Sequence, residues 1–221
     1  VRLKELFYLA NIIDYGRILT LYWAIQGTGY EFAGYYSISY LLDCVDGYAA
    51  RALNQESRLG YYLDMVIDRA SSIFCLQYAA SAVITGTTSI PAAAARPVAM
   101  LLYACILLVE VLAHGVVMYL SEVLGVHQKQ MGYEYRIVRM YLGDKRYLFW
   151  SCLSFETFGL GLIINSMPLA ALSLPGFLFR AIANTCRLVS VTTGGEKRRW
   201  SGEDPAPSEE IPRRGSSDRL G

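Results

Sequence analysis

Hydrophobic residues run through this chain in long blocks, and the polar clusters between them recur at intervals that suit membrane-spanning helices. About 20 apolar residues are needed to cross hydrocarbon. Six segments reach that length or come near it: residues 7–24, 33–53, 60–84, 92–120, 147–167 and a sixth ending near Val191. Turn-forming residues separate them. Gly27-Thr28-Gly29 follows the first segment, and Thr85 to Pro91 closes the third, with Pro91 suited to opening the next helix. Pro168 and Pro175-Gly176 punctuate the region before the sixth. From Gly194 onward the chain is charged and rich in Pro, Gly and Ser, with little to bury. The pattern predicts an all-α protein, a polytopic membrane bundle of six transmembrane helices over residues 1–193, followed by a disordered tail over 194–221. No internal repeat at a fixed period accompanies it.

Composition agrees, since 54% hydrophobic residues is high for an ordinary soluble domain. The net charge of +1 says little, but the placement of charge says more. Arg2 and Lys4 precede the first segment, and Arg58 lies between the second and third. Lys129, Arg136, Arg139, Lys145 and Arg146 lie between the fourth and fifth, and Lys197-Arg198-Arg199 follow the sixth. With six spans all of these fall on one side, while the loops at 25–32, 85–91 and around 168 carry no Lys or Arg. Positive-inside bias then puts both termini and the 54–59 loop in the cytoplasm. Three basic residues at 197–199 fall short of a polybasic lipid-binding motif. No basic stripe with interleaved aromatics points to nucleic acid. Cys44, Cys75, Cys105, Cys152 and Cys186 stand singly and read as reduced packing residues. His114 and His127 form no local ligand motif.

The chemistry lies in the charges that interrupt the apolar blocks. Asp43 and Asp46 are three apart, and Asp64 and Asp68 are four apart, so each pair shares one helix face. Each such carboxylate costs roughly 2.5 to 3.5 kcal/mol on insertion scales, and like charges at this spacing repel. Two hard divalent cations, Mg²⁺ or Mn²⁺, would reverse that sign and leave open positions for phosphate oxygens and water. Gly47 and Ala50 extend the first stripe with small residues, Arg51 follows Gly47 by four, and Gly60 precedes Asp64 by four. A bulky ligand could lie against that backbone with Arg51 at its phosphates. The site would lie near the 54–59 loop and open to the cytoplasm. A divalent-cation transporter would also carry intramembrane carboxylates, but it gives no role to Gly47, Ala50, Arg51 and Gly60. Glu110 and His114, four apart, share a face as an interhelical hydrogen bond or an acceptor contact. Arg69, next to Asp68, is either a structural ion pair or a headgroup contact.

The pattern D-x2-D-G-x2-A-R-x8-G-x3-D-x3-D, from Asp43 to Asp68, resembles the signature of the CDP-alcohol phosphotransferase family of six-helix membrane enzymes. Arg51-Ala52-Leu53-Asn54-Gln55, Leu63-Asp64-Met65 and Asp68-Arg69 look like the eukaryotic members whose acceptor is inositol, and Asn11-Ile12-Ile13 with Arg17-Ile18 extends the likeness upstream. Weaker matches follow at Glu110, His114, Arg146 and Glu156. Ala10 stands where those members usually carry Pro and Asp14 where they carry Gly, and the Asn usual before Glu156 is missing. The resemblance implies transfer of the phosphatidyl group from CDP-diacylglycerol to myo-inositol with release of CMP, at the endoplasmic reticulum. Glycerol phosphate, serine or diacylglycerol is the acceptor elsewhere in the family. It further implies that Asp43, Asp46, Asp64 and Asp68 hold two divalent ions, with Asp68 also the general base. Gly47, Arg51, Ser57, Gly60 and Asn11 would contact the CDP-lipid, and Arg17, Glu110, His114 and Arg146 are acceptor-site candidates. Membrane lipids and a second copy of the chain, in a homodimer, are the implied partners.

Overall fold

A computed structural model describes residues 3–90, 92–124, 133 and 135–193. The tail beyond Thr193, Arg2, Pro91, His127 and Lys129 lie outside the described residues. The fold is all-α. A short 3₁₀ turn, Leu3–Phe7, leads into α1 (Leu9–Gln26), α2 (Tyr30–Ala52), α3 (Arg58–Thr85), α4 (Ala92–Leu124), α5 (Arg136–Gly143), α6 (Lys145–Ile163) and α7 (Met167–Thr192). Six of these coincide with the six apolar segments. The eight-residue α5 was not foreseen, because its stretch carries two arginines and too few apolar residues for a span. It folds back on α6 and α7 through buried Val138 and Tyr141.

Helix α7 also corrects the expectation at the prolines. It begins at Met167 with Pro168 in its first turn and continues through Pro175, so the sixth helix starts before the punctuation rather than after it. A proline at the first turn loses no helical hydrogen bond, and an interior proline is tolerated in hydrocarbon where a neighbouring helix packs closely. That neighbour is α6. A Cβ on Gly176 would stand 2.4 Å from Ser154 Cβ, so Pro175-Gly176 marks a close helix crossing instead of a break.

Alternation of direction follows from the short connections. At one end, the Leu9 amide donates to Gln55 Oε1 at 2.9 Å, and Tyr62 donates to Glu122 Oε2 at 2.7 Å, tying the start of α1, the α2–α3 turn and the end of α4 together. At the other end, the Ser89 amide donates to Asn165 Oδ1 at 2.7 Å, tying the α3–α4 and α6–α7 turns. The carboxylate pairs lie toward the first end. Below them, Phe32 stacks on Tyr78 with centroids 4.3 Å apart, and Tyr78 donates to the Ile25 carbonyl at 2.5 Å, locking α1, α2 and α3. All five cysteines are free, as expected.

Charge lies inside this bundle and apolar surface outside. Arg17, Arg180 and Arg187 are at most 2% exposed, whereas Leu19, Leu41, Leu101 and Leu172 are each more than 60% exposed. Extensive exposed apolar surface on a helical protein marks a membrane or protein interaction face. The α4 stretch Arg96–Leu120 and α7 are long and apolar enough to cross a membrane. The fold is that of a membrane protein.

The Gly176 crossing makes a direct prediction. Gly176→Leu should destabilise the detergent-solubilised protein by about 1 to 3 kcal/mol through overpacking, whereas Leu172→Ala on the lipid-facing surface of the same helix should change little. Thermal unfolding of the two variants checks it.

Candidate active site

Three helices converge on one guanidinium. α1 supplies Arg17 and, one turn earlier, Asp14; α2 supplies Asp43 and Asp46; α3 supplies Asp64 and Asp68. Arg17 Nη1 donates to Asp14 Oδ1 at 3.1 Å, Asp46 Oδ2 at 3.0 Å and Asp64 Oδ1 at 2.8 Å. Its Nη2 lies 2.6 Å from Asp43 Oδ1 and 2.5 Å from Asp68 Oδ1. Five carboxylates thus surround one positive charge. The spacing in sequence makes this possible, because the three- and four-residue intervals turn both members of each pair toward the same neighbour.

Arg69 Nη2 lies 3.9 Å from Asp68 Oδ2, but five carboxylates still outnumber two guanidiniums, and gathering them in a partly buried site is unfavourable unless further cations join. Carboxylate oxygens of Asp14, Asp46 and Asp64 lie within 4.8 Å of one another, as do those of Asp43, Asp64 and Asp68. These are two all-oxygen donor sets sharing Asp64, the ligand chemistry that hard divalent ions take. The residues fit a pair of metal ions.

Cavities open on both sides of the cluster. One, of about 290 Å³, is lined by Asp46 and Asp64 together with Asn11, Gly47, Arg51, Ser57 and Gly60, so every residue expected to contact the CDP-lipid faces the same space. The Arg51 guanidinium folds over Gly47, where a Cβ would lie 3.3 Å from its Nη1. Gly60 is tighter still: a Cβ there would come within 2.7 Å of Asn11 Oδ1. Ser57 has a structural duty as well, since its Oγ caps α3 by accepting from the Gly60 amide at 3.0 Å. Asn11 is held by donating to the Glu5 carbonyl at 2.6 Å.

The second cavity, of about 100 Å³, is polar and lies beyond Asp43 and Asp68. Arg17 reaches it, and Tyr36, Ser72, Glu156 and Arg180 form its far wall. Tyr36 donates to Glu156 Oε2 at 2.5 Å and Ser72 donates to Glu156 Oε1 at 2.6 Å. Arg180 then bridges Glu156 at 3.8 Å and Glu110 at 3.0 Å, with its face over the Phe155 ring at 4.1 Å. Of the acceptor-site candidates, only Arg17 lines this cavity. Glu110 also accepts from Asn184 Nδ2 at 2.5 Å, so it serves as the interhelical hydrogen-bond hub between α4 and α7. His114 Nε2 accepts from Arg69 Nη1 at 3.0 Å; arginine can only donate, which leaves the imidazole proton on Nδ1, 2.8 Å from the Glu110 carbonyl. Both residues border a different space, an apolar cleft between α3 and α4 lined by Met65, Val66, Ile73, Leu107 and Val111, whose base is Arg69 and Ser72. Arg146 lies apart, with its side chain 86% exposed and paired to Asp144 at 3.3 Å. The Arg146 backbone amide, bonded to Asp144, holds that carboxyl below its usual range.

Sequence reasoning passed over Arg180, Tyr36 and Ser72. A charged residue in the middle of an apolar helix was the available signal for Arg180, the same signal that exposed the aspartates.

Two all-oxygen donor sets beside a cleft that carries Arg51, Gly47 and Gly60, within an all-helical framework, fit an enzyme that handles phosphate groups. The chain belongs to the CDP-alcohol phosphatidyltransferase family, whose model matches residues 7–186, and it is therefore a transferase. Among its relatives is the CDP-diacylglycerol–inositol 3-phosphatidyltransferase of Saccharomyces cerevisiae, 30% identical over 201 residues that cover 83% of each chain. The protein of that name from Drosophila melanogaster is 30% identical over 182 residues, covering 80% of this chain and 73% of the relative. That from Candida albicans is 26% identical over 201 residues, covering 85% and 82%. No solved structure matches.

Arg180→Met should lower stability by about 3 to 5 kcal/mol, because it strands Glu110 and Glu156 as buried charges. Adding Glu110→Gln and Glu156→Gln should recover part of that loss, and thermal unfolding of the single and triple variants measures the coupling.

Proposed function

We propose that this protein transfers the phosphatidyl group of CDP-diacylglycerol to myo-inositol, forming phosphatidylinositol and releasing CMP. The observation that carries the reading is the carboxylate cluster set between two cavities, one lined by the family's nucleotide-motif residues and the other walled by hydrogen-bonding groups suited to a polyol. The names of the relatives supply the acceptor.

In this reading Asp43, Asp46, Asp64 and Asp68 hold two divalent ions, Mg²⁺ or Mn²⁺, which supply Lewis-acid stabilisation of charge on the diphosphate. Gly47 lets the diphosphate approach the α2 backbone, and Arg51 pairs with its oxygens. Asn11, Ser57 and Gly60 close the same cleft around the cytidine side. Asp68 faces the polar cavity and accepts the proton of one inositol hydroxyl as that oxygen attacks the phosphorus bearing diacylglycerol. The bond from that phosphorus to the bridging oxygen breaks, and CMP departs with the electron pair. Glu156, oriented by Tyr36 and Ser72, and Arg180 hydrogen-bond the remaining hydroxyls.

The surrounding architecture belongs to the same proposal. Residues 1–193 form six membrane spans, α1 to α4, α6 and α7, in the endoplasmic reticulum, with the carboxylate end and residues 194–221 in the cytoplasm. The charge distribution supports that orientation. The family resemblance supports a homodimer.

Purified protein given CDP-diacylglycerol and Mn²⁺ should release CMP when myo-inositol is added and not with glycerol phosphate, serine or diacylglycerol. Asp68→Asn should lower kcat by about 10²-fold or more. Turnover with another alcohol and none with inositol would overturn the acceptor assignment.

A further inference from the structure

We propose that Asp14 is a fifth carboxylate ligand of the metal centre, completing with Asp46 and Asp64 the donor set of one of its two cations. The inference rests on the metal-centre reading above. It adds a ligand from α1, outside the four-aspartate motif of α2 and α3.

Asp14 is 2% exposed and sits one turn before Arg17 on the inward face of α1. Its oxygen lies within 4.8 Å of oxygens from both Asp46 and Asp64, a spread that one cation with ligands at about 2.0 to 2.6 Å can span. Arg17 gives an independent view of the same point. Among the described residues its Nη1 takes these same three carboxylates as acceptors, while Nη2 goes to Asp43 and Asp68. A positive group is therefore already centred on the Asp14, Asp46 and Asp64 oxygens.

Charge decides between a ligand and a mere partner for Arg17. One guanidinium is satisfied by far fewer than five carboxylates, so burying Asp14 beside four others is unfavourable if Arg17 alone offsets them. Two divalent cations with Arg17 and Arg69 bring six positive charges, so five carboxylates leave the site closer to neutral than four would. A cation that took over the acceptors of Nη1 would release Arg17 from them, and the nearest anionic replacement is the substrate diphosphate in the adjoining cleft.

Mn²⁺ binding by the purified full-length chain, followed by electron paramagnetic resonance without substrate, tests this. The unmodified protein should bind two ions. Asp14→Asn should keep one at unchanged affinity and weaken the other by about tenfold or more. Asp14→Ala should do the same, and Asp64→Asn, which removes the shared ligand, should weaken both. Two ions bound with unchanged affinity by Asp14→Asn, even with a lowered Tm, would overturn the proposal and leave Asp14 as a partner of Arg17. Unchanged Mn²⁺ binding by Asp64→Asn would overturn the metal-centre reading itself.

Discussion

Carboxylates crowded between three helices must be neutralised, and that requirement organises this molecule. α1, α2 and α3 meet where they do because Asp14, Asp43, Asp46, Asp64 and Asp68 need a shared cation, and Arg17 is the only side chain among them that supplies one to all five. Removing water from such a site strengthens every electrostatic contact in it and raises the cost of any left unmade. The helices are thus committed to one register. Packing below the site, from Phe32, Tyr36 and Tyr78, fills in around a geometry that charge has set.

A second buried ion network performs the same task for the other half of the bundle. Arg180 links Glu110 on α4 with Glu156 on α6, and Tyr36 and Ser72 connect that pair to α2 and α3. The two networks approach each other across the polar cavity, so the space beside Asp68 is framed by groups that are each held by a partner. Preorganised hydrogen-bonding groups of this kind need no rearrangement when a polyol arrives. The lipid-facing surface can be plain by comparison.

Much of this was legible in the sequence, for physical reasons. The apolar blocks gave the helices, because hydrocarbon permits little else, and the spacing of Asp43, Asp46, Asp64 and Asp68 with Gly47, Arg51 and Gly60 gave one side of the site. Long-range pairing was not legible. Nothing local says that Arg180 meets Glu156, or that Tyr36 on α2 reaches a residue on α6. Arg146 shows the converse: a position suggested by resemblance lies on the surface, capped to Asp144. Pro175 was misread because a proline signals a helix end in water, whereas here the close approach of Gly176 to Ser154 keeps the helix intact.

Arg69 and Ser72 belong to two walls at once, lining the polar cavity on one side of α3 and the apolar cleft between α3 and α4 on the other. The partition between a polar and an apolar space is therefore a single helix thick. A substitution at either position alters both volumes together, so the polar and the apolar space cannot be reshaped independently through these residues.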